Sequence, residues 1–598
     1  MKALQYIASA AILSLALAAP VMAERSSDKD PTVTASVEVP ETKETKATNA
    51  ELANEAPTVP ALVLEALGEA PEFDEDESED LTPLALRAFY AGSEAKPIWV
   101  SDGKPNEKAR AAAREIGNAK LVAMDPADYP LPDMDSVASD HEALAKFELA
   151  MTQALLKFAN DAKTGRIHPS DVRHTENNPE GLKDPRGFLQ DLLRSDDVAA
   201  VMQGLHPQHP QFKALQKKLA ELMGGTGEKP RVQIPDGPVL KAGVSHEHVA
   251  LLRKRLGVED PGGAASEEYD DAVAEAVKAF QKSKGLKQDG VVGNNTRHSL
   301  NGESNEQLKV RIITNMERWR WLPDNMARDA GIYVWANIPE YRVRIVKGEK
   351  VAFDERMIVG KTNKQTPVFS DEMEWIEIHP VWYVPMSIMV GDIQPSLRRP
   401  TSTVMERYHL RLNCGAHGTD WKKIDWNRVS IRNCSVSQPP GAKSVLGDFK
   451  FKFPNKHIVY MHDTPTKGLF NQTVRTYSHG CMRIRNPRRM AEILLETDKG
   501  MTAAQLGQIL DGPKRPHKEE LKTHIPVHVT YFTVFFNEKG ELQTFRDVYG
   551  HDRRLAQKLT GKGDLLPAPA IAVSRMKKKE PTSRTAREWT VQNAFSRN

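Results

Sequence analysis

Apolar positions recur at helical spacing through the first half of the chain and at alternating positions through the second. Leu86, Phe89 and Tyr90, and then Met151, Leu155 and Phe158, stand three or four residues apart and share one helix face. They predict helices across residues 83–235, with Gly165 as the stop of the second set. His168 and Pro169 read as a helix-end loop rather than a site. The helical period returns in residues 236–303, where Ser245 is the predicted cap. Val249, Leu252 and Leu256 mark one helix there, and Val273, Ala276, Val277 and Phe280 a second. From Gly331 the period falls to two: Ile332, Val334 and Ala336, then Tyr341, Val343 and Ile345, as expected of strands with one face in a core. Further strands are expected at 374–378, 449–453, 457–461 and 527–536. Residues 393–437, with Trp421 and Trp426, interrupt the alternation, and a long insert of this kind beside a site is commonly a lid.

A chain of 598 residues exceeds one core, so several domains are expected. Lys2, the apolar run 7–17 and the small pair Val21 and Ala23 read as a signal peptide, residues 1–23. No later run reaches the roughly 20 apolar residues of a membrane span. Residues 24–82 are Thr, Glu, Ala, Pro and Lys, include an acidic run at 74–80, and predict a disordered tether. Residues 548–598, with Arg575 and Lys577, predict a disordered basic tail. A net charge of +2 argues against nucleic acid as a partner. The three cysteines change the picture most, because an odd number in an oxidising compartment leaves one thiol free. Cys414 and Cys434 are the expected pair, lying close in a turn-rich segment, with two buried unpaired thiols as the alternative. Cys481 remains.

Around Cys481 the chain reads Ser478-His479-Gly480-Cys481-Met482-Arg483, preceded by a predicted strand that carries Tyr460 and ends at His462. Thiol chemistry needs a base, an uncrowded approach to the carbonyl and donors for an oxyanion. His462 supplies the base. Gly480 leaves the main chain open, so the amides of Gly480, Cys481 and His479 are the candidate oxyanion donors. Zinc held by His462, His479 and Cys481 is the rival reading, but paired ligand spacings are lacking.

These residues resemble the catalytic domain of L,D-transpeptidases, whose signature is a histidine, a loop, then Ser/Thr-His-Gly-Cys with an arginine or asparagine two positions on. Flanking blocks Val359-Gly360-Lys361, Thr366-Pro367, Pro380 to Pro385, Gln438 to Gly441 and Phe453-Pro454-Asn455 are similar to the large scaffold-bearing subgroup of Gram-negative bacteria. His379 departs from the asparagine usual before that proline. Phe280-Gln281, Gly285-Leu286, Asp289 to Gly293 and Thr296 resemble a small three-helix peptidoglycan-binding domain. The resemblance implies a multidomain α+β protein: a helical scaffold domain (83–235), the peptidoglycan-binding domain (236–303), a connecting helix (304–330) and a β-rich catalytic domain with a capping lid (331–547). It also implies a periplasmic acyltransferase without cofactor or metal. Its substrate would be peptidoglycan, with a tetrapeptide stem as donor and a diaminopimelate amine as acceptor. Other cell-wall enzymes would be further partners. Cys481 would be the nucleophile, His462 the general base and acid, and Arg483, Tyr460 and Ser478 the substrate contacts; carbapenems would acylate the thiol. Water or an outer-membrane protein as acceptor, and a non-catalytic wall-binding scaffold, are the alternatives.

Overall fold

The computed structural model describes residues 57–68, 82–92, 96–173, 175–177, 179–225, 232–260, 265–283 and 286–567. The expected signal peptide, the acidic run, Gly285 and the far end of the tail lie outside the described residues.

Helices Val59–Ala66, Thr82–Tyr90, Glu107–Gly117, His141–Thr164, Pro185–Arg194 and Val198–Gly204 surround a core that includes Trp99, Met151, Leu155 and Leu189. Their starts are set locally, since Asn106, Asp140, Asp184 and Asp197 each accept an N–H of the first helical turn. Gly165, at φ 87°, ends the long central helix. The tether reading is corrected over part of its length. Val59–Ala66 is a helix that buries Val59 and Val63 in this core with Leu62 and Leu64 packed against it, because its residues are apolar apart from Glu65 and give the helix a face to bury.

The module Glu247–Leu256, Asp271–Ser283 and Asn294–Asn301 closes over Val249, Leu252, Val273, Val277, Val292 and Leu300. Its first helix is capped by His246, whose ring accepts from the amide of His248; Ser245 instead bridges to Glu268. Gln281 is buried and ties Gly290, Val291 and Thr296 together, which accounts for the glutamine and the glycine-rich turn in the sequence pattern.

The β-rich region is built on one nine-stranded sheet. Its strands are β1 (Ile332–Asn337), β2 (Arg342–Lys347), β3 (Lys350–Gly360) and β4 (Phe369–Ile378). A cap supplies β5 (Trp382–Tyr383), β6 (Arg411–Asn413) and β7 (Ser435–Gln438), and the main sheet resumes with β8 (Phe449–Lys452), β9 (Met461–His462), β10 (Thr476–Ser478), β11 (Met482–Ile484) and β12 (His517–Thr530). The order is β10-β3-β11-β9-β8-β4-β12-β1-β2, and β3 also pairs with β2, so the sheet closes on itself. Its inner face carries Met357, Met373, Ile376, Phe451, Met461, Met482 and Val527.

Three expectations are corrected in this region. The strand expected at 457–461 is reduced to Met461–His462, because Asn455 staples a turn to Val459 and holds Ile458 exposed at φ 58°. The insert expected at 393–437 begins earlier, at Trp382, and has β structure of its own: β5, β7 and β6 form a three-stranded sheet over a separate core containing Trp382, Ile393, Trp426 and Ile431. The tail expected from 548 is folded as far as Leu566. Helix His551–Thr560 packs on Asn305–Arg320, with Asp552 fully buried between Arg311 and Arg318.

Candidate active site

Register places the chemistry. Met461 pairs with Met482 and His462 with Arg483 in the parallel β9–β11 contact, while Lys450 pairs with His462 across β8–β9. Side chains alternate between faces along a strand. With Met461, Met482 and Phe451 all in the core, Tyr460, His462, Cys481, Arg483, Lys450 and Lys452 lie together on the opposite face. One residue back along the register, Tyr460 stands beside Cys481, and the amide of Met482 donates to the Tyr460 carbonyl at 3.0 Å. The face thus carries two lateral rows: Trp375, Lys452, Tyr460, Cys481 and, next to it, Glu377, Lys450, His462, Arg483.

The loop before Cys481 is held from several sides. Gly480 has φ 120°, a conformation that side-chain-bearing residues avoid. A Cβ there would touch nothing closer than 3.5 Å, so the backbone angle rather than space demands glycine. Thr366 Oγ1 donates to the Gly480 carbonyl at 2.8 Å and itself accepts from the Gly360 amide, and the amide of Lys361 donates to Ser478 O. The blocks Gly360-Lys361 and Thr366 therefore form the shelf under this loop.

Ser478 Oγ donates to Cys481 O at 2.6 Å and accepts from the Gly480 amide at 3.1 Å. Two expectations change in consequence. The Gly480 amide is already engaged and is not an available oxyanion donor, which leaves the amides of Cys481 and His479. Ser478 is fully buried, and its hydroxyl shapes the loop instead of facing a substrate.

Cys481 is a free, partly buried thiol, and Cys414 and Cys434 are joined by a disulfide within the cap. The cap covers the site directly: Trp382, Tyr460 and Cys481 pack in one apolar cluster. Burial pushes the Cys481 thiol up, opposed by hydrogen bonding from Tyr460 and by the Arg483 cation. Burial, reinforced by Arg483, pushes His462 down to about 3. Its Nδ1–H donates to the Asp463 carbonyl at 2.5 Å, which leaves Nε2 as the lone-pair nitrogen. The resting pair is accordingly a neutral imidazole and a thiol. The His462 and Tyr460 rings lie 5.6 Å apart.

Arg483 has no exposed surface, and burial lowers it to about 9, partly offset by Cys481 and Tyr460. Its Nη1 reaches Thr466 Oγ1 at 3.4 Å. Expected to hold a substrate carboxylate, it is instead enclosed beneath the site, where its charge favours thiolate and disfavours imidazolium. His479 reaches the cap, with Nε2 3.6 Å from Asp392. Among the described residues no three His, Cys, Asp or Glu side chains gather as a metal site. His379, at φ 51°, bonds Asp448 and Leu510 O; asparagine and histidine are both enriched at left-handed φ, so the departure keeps the same backbone.

Sequence reasoning missed Thr366 as the clamp of the loop, and it missed Trp382, Lys450 and Lys452. The alternation of phenylalanine and lysine in residues 449–453 shows that the lysines share a face, but nothing in it says which strand lies beside them.

The description "L,D-transpeptidase catalytic domain" matches residues 331–504, a scaffold domain matches 84–219 and a peptidoglycan binding domain matches 245–300. The chain thus carries an L,D-transpeptidase catalytic domain together with a scaffold domain and a peptidoglycan-binding domain. It is similar to a Haemophilus influenzae protein named "Putative L,D-transpeptidase", 28% identical over 253 residues, which are 42% of this chain and 50% of that one. A Bacillus licheniformis "Probable N-acetylmuramoyl-L-alanine amidase" is 31% identical over 150 residues, 23% of this chain and 42% of its own. The chain spans about half the length, or less, of these relatives. Among solved structures, an L,D-transpeptidase from Mycobacterium smegmatis aligns with TM-score 0.17 and 12% identity over 33% of this chain and 58% of its own.

Proposed function

We propose that the protein is a periplasmic peptidoglycan L,D-transpeptidase that joins two stem peptides through their diaminopimelate residues. The observation that carries this reading is the free Cys481 thiol on the same sheet face as His462, one strand away, with the imidazole held by Asp463 O so that Nε2 is the base. His462 takes the thiol proton as sulfur attacks the carbonyl of the donor's diaminopimelate. The C–N bond to the terminal D-alanine breaks, the imidazolium returns the proton to the leaving amine, and a thioester remains. The amine of a second stem attacks the thioester, His462 receives its proton, and the thiol is restored. One amide replaces another, so the reaction needs no cofactor.

Arg483 and the Tyr460 hydroxyl favour the thiolate during this exchange, and the amides of Cys481 and His479 serve the oxyanion. The peptidoglycan-binding module and the scaffold bring the catalytic domain to the wall, and residues 1–23 direct export. None of the described helices is long and apolar enough to cross a membrane.

Incubation of the full chain with disaccharide-tetrapeptides is expected to give cross-linked dimers and free D-alanine, and Cys481→Ala to give neither. Identical product profiles from the two proteins would end this reading. Hydrolysed tripeptides without dimers would assign the acceptor to water. A carbapenem adduct localised to Cys481 by intact mass and peptide mapping is the companion expectation.

A further inference from the structure

The row that ends at Cys481 holds, two strands away, a lysine the chemistry above does not use. We propose that Lys452, set between Trp375 and Tyr460, is a subsite for a free carboxylate of the acyl-donor stem peptide. The proposal rests on the reading of Cys481 as the residue acylated by that stem.

Three lysines lie on this stretch of the sheet face, and two are neutralised. Lys450 contacts both carboxylate oxygens of Glu377, at 3.2 and 3.1 Å, and Lys518 contacts Glu520 at 2.7 Å. Among the described residues Lys452 makes no ion pair. Its ammonium lies 5.9 Å from the Trp375 ring and 5.9 Å from the Tyr460 ring. An ammonium against two aromatic faces has lost part of its water, and a carboxylate reaching it there is held more strongly than one at an open surface.

The spacing fits a peptide. Adjacent strands lie about 4.8 Å apart, so the β8 and β11 backbones are separated by roughly 10 Å. That is the span of about three extended residues, or of one long side chain meeting the lysine side chain part-way. A stem whose carbonyl is at Cys481 can therefore lay a carboxylate on Lys452 while its aliphatic part crosses Tyr460. Burial and the neighbouring Lys450 both press the Lys452 ammonium toward losing its proton, and an incoming anion opposes this. The other candidate cation, Arg483, is sealed from ligand.

Donor tetrapeptide stems carry free carboxylates on the diaminopimelate side chain, on the D-glutamate and on the terminal D-alanine, and the test separates the three. Binding of a synthetic tetrapeptide without sugar is measured on the full chain carrying Cys481→Ala, which cannot turn over. The tetrapeptide is used as the free acid and with each of the three carboxylates amidated in turn. Adding Lys452→Gln is expected to weaken the free acid about tenfold, and amidation of the recognised carboxylate to cost the same. That amidation should cost nothing further in the Lys452→Gln protein, and Lys452→Arg should retain most of the affinity. An unchanged affinity in Lys452→Gln, losses that multiply for every one of the three carboxylates, or no binding of the free acid at all would each overturn the proposal. Failure of the catalytic reading shows separately, as dimers still formed by Cys481→Ala.

Discussion

Gly480, Ser478 and Arg483 divide between them what the short motif around Cys481 does. Gly480 supplies the backbone angle, Ser478 stitches the loop, and Arg483 supplies buried charge. The shifted groups make a sign-definite prediction. Because burial raises the thiol, alkylation of Cys481 by iodoacetamide in the free protein should be slow at neutral pH, with its midpoint above the ordinary thiol range. Arg483→Met should move that midpoint higher still, since a cation that favours thiolate is lost. A midpoint below the ordinary thiol range would contradict the buried, neutral resting pair. Because His462 falls to about 3, its neutral form persists far below pH 6.5, and the acid limb of kcat/KM should show no histidine step between pH 7 and 5. A candidate nucleophile and base can be named from the sequence because thiol chemistry restricts residue types and order. The roles of Ser478 and Arg483 cannot, since a hydroxyl or guanidinium reads the same whether it faces substrate or protein.

At the scale of elements, the cap is a small β structure with its own core, stapled by Cys414–Cys434 across a separation of 20 residues. Closing a loop of that size is worth about 3 kcal/mol in the chain-entropy model. Reduction, or Cys414→Ser with Cys434→Ser, should therefore speed amide exchange across 382–438 while leaving β4 and β12 protected. Equal loss of protection in the core strands would show that the cap is not an independent unit. The change of apolar period at Gly331 made the strands of the main sheet legible in sequence. The cap was legible only as an interruption, because its strands are two to four residues long and too short to show a period. The turn before β9 was hidden for another reason: Ile458 has strong strand preference, and the side chain of Asn455 overrides it.

Across the whole molecule, buried charge joins segments far apart in sequence. Arg311 and Arg318, on the helix leading into the sheet, meet Asp552 from the C-terminal helix. Breaking a buried pair by removing one partner costs about 3–5 kcal/mol. Asp552→Asn is expected to lower stability by that order, read as a fall in the urea midpoint at unchanged slope; a shift under 1 kcal/mol would show that these charges are solvated. A second tie reaches the site. Glu176 of the scaffold contacts Lys456 and His457, and its amide donates to Val368 O at 2.9 Å, so the helical domain touches the turn that leads into His462.

Candidate chemistry and modular order are local properties, and both are proposed from the residues along the chain. A thiol, a histidine and a glycine in one motif limit what a site can do, and the step from a period of 3.6 to a period of 2 separates helix from sheet. Adjacency across the sheet is not local. Lys452, Tyr460 and Cys481 share a row because β8, β9 and β11 are neighbours in register, and hydrogen bonds between residues many positions apart set that register. The burial of Arg483 and the docking of a polar-looking C-terminal helix on two arginines likewise follow from packing, where the same side chain is exposed or enclosed according to what folds over it.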